Sequence, residues 1–400
     1  MEGRPISDDS RSPNGAPTSP VPLAVIAWQW ARLGCIGFGG PPTHIALLRR
    51  MCVEERHWID AKEFEDAIAT TNLLPGPAST QLAIFCAWRL RGRIGAVLGG
   101  VCFIVPGLIL ILALASVFLA SHPPGWVLGA AAGAGAAVPA VALHAASGLV
   151  PASWKRIGAT RARHVRWVCY VLAGGMAAAS IGAYLVVVLV ACGTMEIAIR
   201  RKGRPASGSL RAITPGLVAH GALVGGLGAL SWVAFKVGAL SYGGGFVIVP
   251  LMQHDAVTTY HWMTGAQFLN AVALGQVTPG PVVQTVAVVG YAAGGIGGGL
   301  LAALVGFAPS FFFILLGGPR FGQIRANRTV EAFLTGAGPA VIGAIAGSAI
   351  PLGLSFSHLW QIPVLGGALL WFLAARRGVV SGLLVAGAVG VVVALVGVPV

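Results

Sequence analysis

Two cations in this sequence stand apart from all the others. Of the 26 Lys and Arg residues, 24 lie in the N-terminal tail or in six short basic segments, and only Arg32 and Lys236 lie inside long apolar stretches. A cation in such surroundings is costly and usually marks an ion pathway or a bound partner. We therefore predict that both cations bind an anion. The alternative is a side chain at a helix end that reaches the lipid headgroups.

Each cation is followed first by a pair of glycines and then by a Pro-Gly-Pro segment, at 75–77 and at 279–281. The glycine pairs are predicted to break a helix and expose backbone N–H groups, although tight packing through small residues is the alternative. A helix that starts at the last proline points its free N–H groups and positive dipole end at an anion, whereas a purely structural turn would not. The predicted substrate-binding residues are Arg32, Lys236, Gly39, Gly40, Gly243, Gly244, Asn72, Pro75, Gly76, Pro77, Ser79, Thr80, Gln81, Gln276, Thr278, Pro279, Gly280, Pro281 and Gln284.

Few ionisable residues in the apolar stretches could carry a coupling proton. Glu196 is the only acid well inside such a stretch, Asp66 lies at a boundary, and His44 is a further candidate. A lone histidine in a helix is more often a packing residue than a proton carrier. Because a cationic substrate would require buried carboxylates, the scarcity of acids favours an anionic substrate.

The whole pattern occurs twice at a constant spacing of 204 residues, which separates Arg32 from Lys236 and Pro77 from Pro281. An internal duplication of this kind predicts two homologous halves. The predicted organisation is a disordered N-terminal tail at 1–20, a first repeat at 21–200, a basic cytoplasmic linker at 201–211 and a second repeat at 212–400.

The composition predicts an all-α polytopic integral membrane protein. Hydrophobic residues make up 56% of the chain, charged residues make up 10%, and the mean hydropathy is +0.82. The long apolar runs are continuous and do not alternate, which indicates helices and not a barrel. The net charge of +14 does not indicate nucleic-acid binding, because the cations lie in short segments between apolar runs and follow the positive-inside rule.

The basic segments are predicted to lie in the cytoplasm, with about ten membrane spans in total. The stretches 66–74 and 78–88, and later 270–278 and 282–293, have about 10 residues each, or roughly 15 Å of helix, which is half a membrane. We predict two re-entrant Pro-Gly-Pro hairpins that enter from opposite faces. Five spans per half would invert the second half relative to the first, and a parallel repeat is the alternative.

Several segments resemble a known family. The first half contains Phe-Gly-Gly-Pro at 38–41, Glu-Arg-His-Trp-Ile at 55–59 and Asn-Leu-Leu-Pro-Gly-Pro-Ala-Ser-Thr-Gln at 72–81. The second half contains Ser-Tyr-Gly-Gly-Gly at 241–245, His-Trp-Met-Thr at 261–264 and Gly-Gln-Val-Thr-Pro-Gly-Pro at 275–281. These motifs resemble the two halves of the chromate transporter family, in its long, two-domain form.

The resemblance implies export of chromate, or of a related tetrahedral oxyanion such as sulfate, across a prokaryotic inner (plasma) membrane, and chromate resistance. The sequence has no Walker-type nucleotide motif, so a secondary transporter such as an antiporter is expected, with alternating access around a midplane anion site. A passive oxyanion channel and a sulfate permease are the alternatives. Enzymatic activity, a cofactor, a metal site and nucleic acid are not expected, the lipid bilayer is the surrounding partner, and a homodimer is left open.

Overall fold

The computed structural model describes residues 20–72, 74, 76–120, 122–158, 160–180, 185–201, 226–241, 248–317 and 327–400. Within these ranges the chain forms fourteen α-helices and no strand, which confirms the all-α prediction. Most of the predicted tail, most of the predicted linker, Pro75, Gly243 and Gly244 lie outside the described residues.

The first half contains seven helices. They are α1 (Leu23–Ile36), α2 (Pro41–Arg49), α3 (Ala61–Thr71), α4 (Ala78–Phe118), α5 (Gly125–Arg156), α6 (Arg161–Ser180) and α7 (Leu185–Arg201). A π-helical turn at Arg50–Glu55 extends α2.

The second half follows the same order. Its helices are α8 (Leu227–Leu240), α9 (Ile248–Gln253), α10 (Gly265–Val277), α11 (Thr285–Gly317), α12 (Arg328–Leu354), α13 (Gln361–Leu369) and α14 (Val379–Leu395). A π-helical turn at His254–Thr259 extends α9, a 3-10 turn at Val282–Gln284 precedes α11, and a π-helical turn at Leu370–Ala374 extends α13.

Four of these helices are long and apolar enough to cross a membrane: α4, α5, α12, and α11 together with the 3-10 turn before it. Shorter apolar helices include α1, α8, α14 and the α13 segment. Since about 20 helical residues cross a hydrocarbon core of about 30 Å, this set of helices is typical of a polytopic membrane protein. The predicted number of ten spans stays a prediction.

Helices end and begin at the Pro-Gly-Pro segments. In the first half α3 ends at Thr71 and α4 begins at Ala78, and in the second half α10 ends at Val277 and the next helical turn begins at Val282. Asp60 caps α3 by accepting hydrogen bonds from two backbone N–H groups, and at the equivalent position the Thr264 side chain forms a capping box. These caps fix where each hairpin starts.

A sharp kink divides each long helix that follows a hairpin. α4 has 41 residues, which is about 61 Å of helix and about twice the hydrocarbon thickness. Its backbone leaves the helical region at Arg91 and at Gly92, where φ is 58°, and α11 does the same at Gly294 and at Gly295, where φ is 63°. Each kink separates a short helix beside the Pro-Gly-Pro segment from a segment of membrane-spanning length, which begins after residue 92 in α4 and after residue 295 in α11.

Fine backbone features also recur at the spacing of 204 residues. After the π-helical turns, His57 and His261 have φ values of 49° and 51°, in a left-handed region that is uncommon for residues other than glycine. In each case the imidazole Nδ1 lies 2.8 Å from the carbonyl oxygen of the residue four positions earlier. Two segments of different sequence therefore have the same local structure.

The two halves pack against each other through their central helices. α4 packs against α11, α1 packs on α4, α8 packs on α11, and α5 reaches across to α10, α12, α13 and α14. Small residues allow the closest approaches, because a Cβ on Gly174 of α6 would overlap the carbonyl oxygen of Ala340 on α12. Such packing is typical of helices in membranes.

Candidate functional site

The two Pro-Gly-Pro tips are held by the opposite halves of the chain. The Gly76 N–H donates to the carbonyl oxygen of Ser241 at the end of α8, with an N···O distance of 3.0 Å. The Gly280 N–H donates to the carbonyl oxygen of Gly37 at the end of α1, at 2.9 Å. Both donors and both acceptors are separated by 204 residues. The contact is therefore reciprocal, with each tip bound to the broken first helix of the other half.

The tips have backbone conformations that glycine alone adopts easily. The φ value is 119° at Gly76 and 98° at Gly280. These turns allow Pro77 to precede α4 and Pro281 to precede the 3-10 turn that leads into α11, and no side chain caps either helical start. The first N–H groups of a helix have no partner within the helix and carry the positive end of its dipole. Two uncapped helical starts therefore lie beside the crossing of the halves.

His44 supports one of the two tip contacts. Its Nε2 lies 2.9 Å from the carbonyl oxygen of Gly37, and its Nδ1 lies 3.2 Å from the Ser79 hydroxyl in the first turn of α4. The ring is buried and packs edge-on against Phe103 at 5.2 Å between centroids. His44 thus connects two elements. One is the Gly37 carbonyl oxygen, which holds the second tip, and the other is α4, which follows the first tip. We interpret it as a positioning residue, and its predicted role in coupling stays a prediction.

Several buried polar atoms near the tips have no hydrogen-bond partner among the described residues. They are Thr80 Oγ1, Ser241 Oγ, Ser310 Oγ, Gln276 Nε2 and Gln284 Oε1. Buried polar groups are nearly always paired, and an unpaired one costs about 1–3 kcal/mol. The hydroxyls and the Gln276 amide nitrogen are able to donate to a ligand, whereas Gln284 Oε1 can only accept.

The long helices beyond the kinks line the tips in a reciprocal way. A Cβ on Gly76 would lie 3.4 Å from the Ser310 hydroxyl of α11, which therefore faces the first tip. A Cβ on Gly107 of α4 would overlap the carbonyl oxygen of Pro279 and lie 2.6 Å from Gln284 Oε1 at the second tip. Gln284 also donates through Nε2 to the Ile104 carbonyl oxygen at 2.8 Å. The helix that faces the first tip thus presents the Ser310 hydroxyl, whereas the helix that faces the second tip presents Gly107, which has no side chain.

Most of the residues that the sequence predicted around the tips are buried there. They are Gly40, Gly76, Pro77, Ser79, Thr80, Gln81, Gln276, Thr278, Pro279, Gly280, Pro281 and Gln284. Gly39 and Asn72 are exposed, and Asn72 ends α3 just before the first tip.

Arg32 is not among the buried residues, and its predicted role in anion binding stays a prediction. Its side chain is exposed on the outer side of α1, in line with the exposed Trp28 one turn earlier. The reason is the orientation of α1, which buries Trp30 and Leu33 against the neighbouring helices instead. Trp30 fixes that orientation by donating its Nε1–H to the Ala83 carbonyl oxygen of α4 at 2.8 Å.

Lys236 is partly buried, but its charge is compensated. Its Nζ lies 2.6 Å from Asp255 Oδ2, and the two side chains are 20% and 11% exposed. The chain forms a π-helical turn at Asp255, and this turn directs the carboxylate inward. The expectation that Glu196 is the only acid inside the apolar region is therefore wrong. A buried cation is stable here because a carboxylate accompanies it.

Glu196, a predicted coupling residue, is also part of an ion cluster. Its carboxylate is 3% exposed and lies 3.1 Å from both Arg166 Nε and Arg200 Nε, and it accepts from the Tyr170 hydroxyl at 3.3 Å. The cluster ties α6 to α7 and does not line the tips. Asp66 is half-buried on α3, before the first tip.

Sequence reasoning missed Ser310, Gly107 and Asp255. Ser310 and Gly107 each follow a proline inside the helix beyond a kink, Pro309 and Pro106. These two positions pair if the repeat is extended past the Pro-Gly-Pro segments with one residue fewer in the second half, because Pro106 and Pro309 are 203 residues apart. No comparable signal identifies Asp255, because its equivalent in the first half is Met51.

The groups at the tips are hydrogen-bond donors and acceptors without a formal charge. Helical starts, backbone N–H groups and neutral hydroxyl and amide groups converge, and such groups stabilise negative charge without a formal cation. Within the described residues, no group of three or more His, Cys, Asp or Glu residues is placed to hold a metal ion.

Comparisons with known proteins identify a family for this sequence. The sequence matches the family described as chromate transporter at residues 24–197 and again at residues 228–398. It is 32% identical over 365 residues to a chromate transport protein of Cupriavidus metallidurans, covering 87% of each chain. It is 31% identical over 344 residues to a chromate transport protein of Pseudomonas aeruginosa, covering 81% of this chain and 79% of that one. A probable chromate transport protein of Synechococcus elongatus is 27% identical over 344 residues, covering 84% of this chain and 86% of that one. No solved structure gives a significant match.

Proposed function

This chain belongs to the chromate transporter family, and we propose that it transports chromate, or a related tetrahedral dianion such as sulfate, across a membrane. The observation that carries the proposal is the set of buried, unpaired polar atoms around two uncapped helical starts. A fully ionised oxyanion presents acceptor oxygens on all sides. Backbone N–H groups and neutral hydroxyls can replace its hydration shell, and the helix dipoles compensate its charge.

We further propose that the two halves form an inverted repeat around this site. The reciprocal hydrogen bonds at Gly76 and Gly280 support a two-fold relation, because each tip is held by the equivalent carbonyl of the other half. In such transporters, broken helices meet near the midplane, and one half rocks against the other to expose the site alternately. A carrier of this kind would run on ion or membrane potential and export the dianion through a prokaryotic inner membrane.

A passive anion channel would use similar groups but would require a continuous water-filled path. The described tip residues Gly76, Pro77, Pro279 and Gly280 are all buried, and this favours a carrier over an open pore. The first experiment therefore measures chromate flux in proteoliposomes. Saturable uptake that is accelerated by chromate on the opposite side is expected for a carrier. Single-channel currents without such counterflow would overturn the carrier proposal.

Site variants test the assignment of the tips. Ser310→Ala and Thr80→Val remove hydroxyls that have no partner in the described residues, so we expect a several-fold increase in KM for chromate with little change in folding. Ser348→Ala is the matched control, because Ser348 is equally buried but its hydroxyl donates to the Ile345 carbonyl oxygen of its own helix. If both site variants had the KM of this control, the tips would not be the binding site.

A further inference from the structure

Two cavities lie at opposite ends of α5. One, of about 190 Å³, lies between the end of α3, the last turns of α5 and the first turns of α12. The other, of about 320 Å³, lies between the start of α5, the start of α10 and the chain after α12. The nearest lining residues on α5 are Leu149 and Ala132, and 17 residues of helix span about 25 Å. The cavities are thus separated by about the thickness of an apolar membrane core.

The first cavity carries a cation, and the second does not. Arg156, at the last residue of α5, lines the first cavity together with Ser153 and Asn72. The polar side chains that line the second cavity are Gln267, Asn270, Ser357, His358 and Gln361, with no Lys or Arg among its described residues. A cleft lined by one sign of charge raises the local concentration of the opposite ion and the rate of its association.

Arg156 belongs to a strongly basic segment. Residues 155–166 contain five Lys or Arg residues and no acid. Arg166 is compensated by Glu196, and the Arg163 guanidinium folds back to donate to the Ile157 carbonyl oxygen at 3.3 Å. Arg156 itself is exposed, and none of the ion pairs among the described residues includes it. Its charge is therefore free to act on an ion in the cavity.

The first cavity also leads toward the tips. Asn72 is exposed into it, whereas Leu74, Gly76 and Pro77 are buried. The accessible surface thus ends within a few residues of the first Pro-Gly-Pro turn. A dianion captured near Arg156 would need only a local opening at Asn72 to reach the tip site.

We propose that this cavity is a separate, low-affinity loading site for the tetrahedral dianion on the side of the basic segments, with Arg156 as the capturing cation. The inference rests on the proposed function, because it assumes a transported dianion. It adds a second anion site and a direction: the positively charged cavity collects the substrate, and the uncharged cavity releases it.

The first test compares transport from the two sides. In everted vesicles the basic segments face the added chromate, and Arg156→Gln is expected to raise KM several-fold, with an unchanged maximal rate and a weaker dependence on salt. Uptake into right-side-out vesicles should keep its KM. Arg161→Gln is the control, since Arg161 is exposed on the same segment but does not line the cavity. Equal KM values for the Arg156 and Arg161 variants would overturn the loading site.

The second test measures the electrostatic potential at the first cavity and does not depend on transport. Asn72→Cys is labelled with anionic and with neutral thiol reagents in everted vesicles, and the labelled peptide is identified by mass spectrometry. Arg156→Gln should slow the anionic reagent several-fold and leave the neutral reagent unchanged, whereas equal effects on both reagents would overturn the inference. If chromate is not transported by the unmodified protein, the proposed function fails, but this labelling result still reports on the cavity.

Discussion

The two halves of this protein share a backbone but differ in the polar side chains attached to it. Both have a broken first helix, a π-helical turn, a left-handed histidine, a capped half-length helix, a Pro-Gly-Pro tip and a kinked long helix. The polar groups differ at positions 204 residues apart, which are His44 and Ile248, Met51 and Asp255, and Glu63 and Gln267. They also differ at Gly107 and Ser310 beyond the kinks, where the spacing is 203 residues. The duplicated backbone therefore supplies the site geometry, and the unduplicated side chains make the two faces of the site unequal.

This difference fits a carrier that must open to two unlike compartments. Symmetry in the backbone lets either half form the same contact with the tip of the other. In the proposed mechanism, asymmetry in charge lets one opening attract a dianion and the other release it. Changes to the shared backbone should therefore have larger effects than changes to the charges of one half.

The tip glycines should show the largest effect. Gly76→Ala and Gly280→Ala place a Cβ where φ is 119° and 98°, a conformation that costs of order 1–3 kcal/mol for other residues. We expect each to lower chromate transport about 5- to 100-fold, since about 1.4 kcal/mol corresponds to a factor of ten. Gly76→Ala should be the more severe, because its Cβ would overlap the Gln81 amide, whereas at Gly280 the nearest atom is 3.1 Å away.

The control for the tips is another glycine at a break in a helix. Gly294 lies at the kink of α11 with φ of −160°, and a Cβ there meets no atom within 4 Å. Gly294→Ala should therefore transport chromate at close to the normal rate. If Gly76→Ala and Gly280→Ala also transported chromate at close to the normal rate, the backbone conformation of the tips would not be required for transport.

The Lys236–Asp255 pair should show an intermediate effect, confined to the second half. Asp255→Asn leaves the partly buried ammonium of Lys236 without a charged partner. The two side chains are 20% and 11% exposed, so we expect the free energy of unfolding to fall by about 1–3 kcal/mol. A fully buried pair would cost about 3–5 kcal/mol. The measurement is the midpoint of thermal unfolding in detergent. Replacing both Lys236 and Asp255 with Met should recover most of this stability. Met is the residue that the first half has at position 51, which is equivalent to Asp255.

Arg32 provides the comparison from the first half. It occupies the position equivalent to Lys236 but is exposed, and no ion pair of the described residues includes it. Arg32→Gln should leave the unfolding midpoint unchanged. A loss equal to that of Asp255→Asn would mean that the two halves place this cation in the same surroundings, contrary to the structure.

The sequence alone could predict the features that depend on local chemistry. Helical membrane class follows from apolar runs, the breaks follow from Gly39, Gly40 and the Pro-Gly-Pro segments, and the duplication follows from their spacing. These features are set within a few residues along the chain, so no knowledge of the tertiary structure is needed. The helices at the tips accordingly begin and end within about five residues of their predicted limits.

The sequence could not predict which side of a helix faces the interior. Arg32 and Lys236 occupy equivalent positions, yet one is exposed and the other is paired with Asp255. The difference depends on an acid 19 residues away in sequence, which a π-helical turn directs inward. Ser310 likewise reaches the first tip only because α11 packs across the centre of the molecule. Rotation and packing of helices are tertiary properties, and hydropathy carries little information about them.

The smallest effect is expected at the stem of the first hairpin. Arg89 on α4 donates to both carboxylate oxygens of Glu63 on α3, and the second half has Gln267 in place of the acid. Both side chains are 31% exposed, so a double-mutant cycle with Glu63→Gln and Arg89→Gln should give a coupling energy of about 0.5–1 kcal/mol. The Arg50–Glu55 pair, at 70% and 51% exposed, is the control and should give a coupling near zero.

The size of this coupling decides what the stem pair contributes. A small value would mean that the backbone caps and the tip contacts are enough to hold the first hairpin, as they must be in the second half, which lacks this pair. A coupling energy as large as the roughly 1–3 kcal/mol expected for Lys236–Asp255 would mean that the first hairpin depends on the Glu63–Arg89 ion pair, which the second hairpin lacks. In that case the backbone of the two halves would be alike, but the forces that hold their hairpins in place would differ.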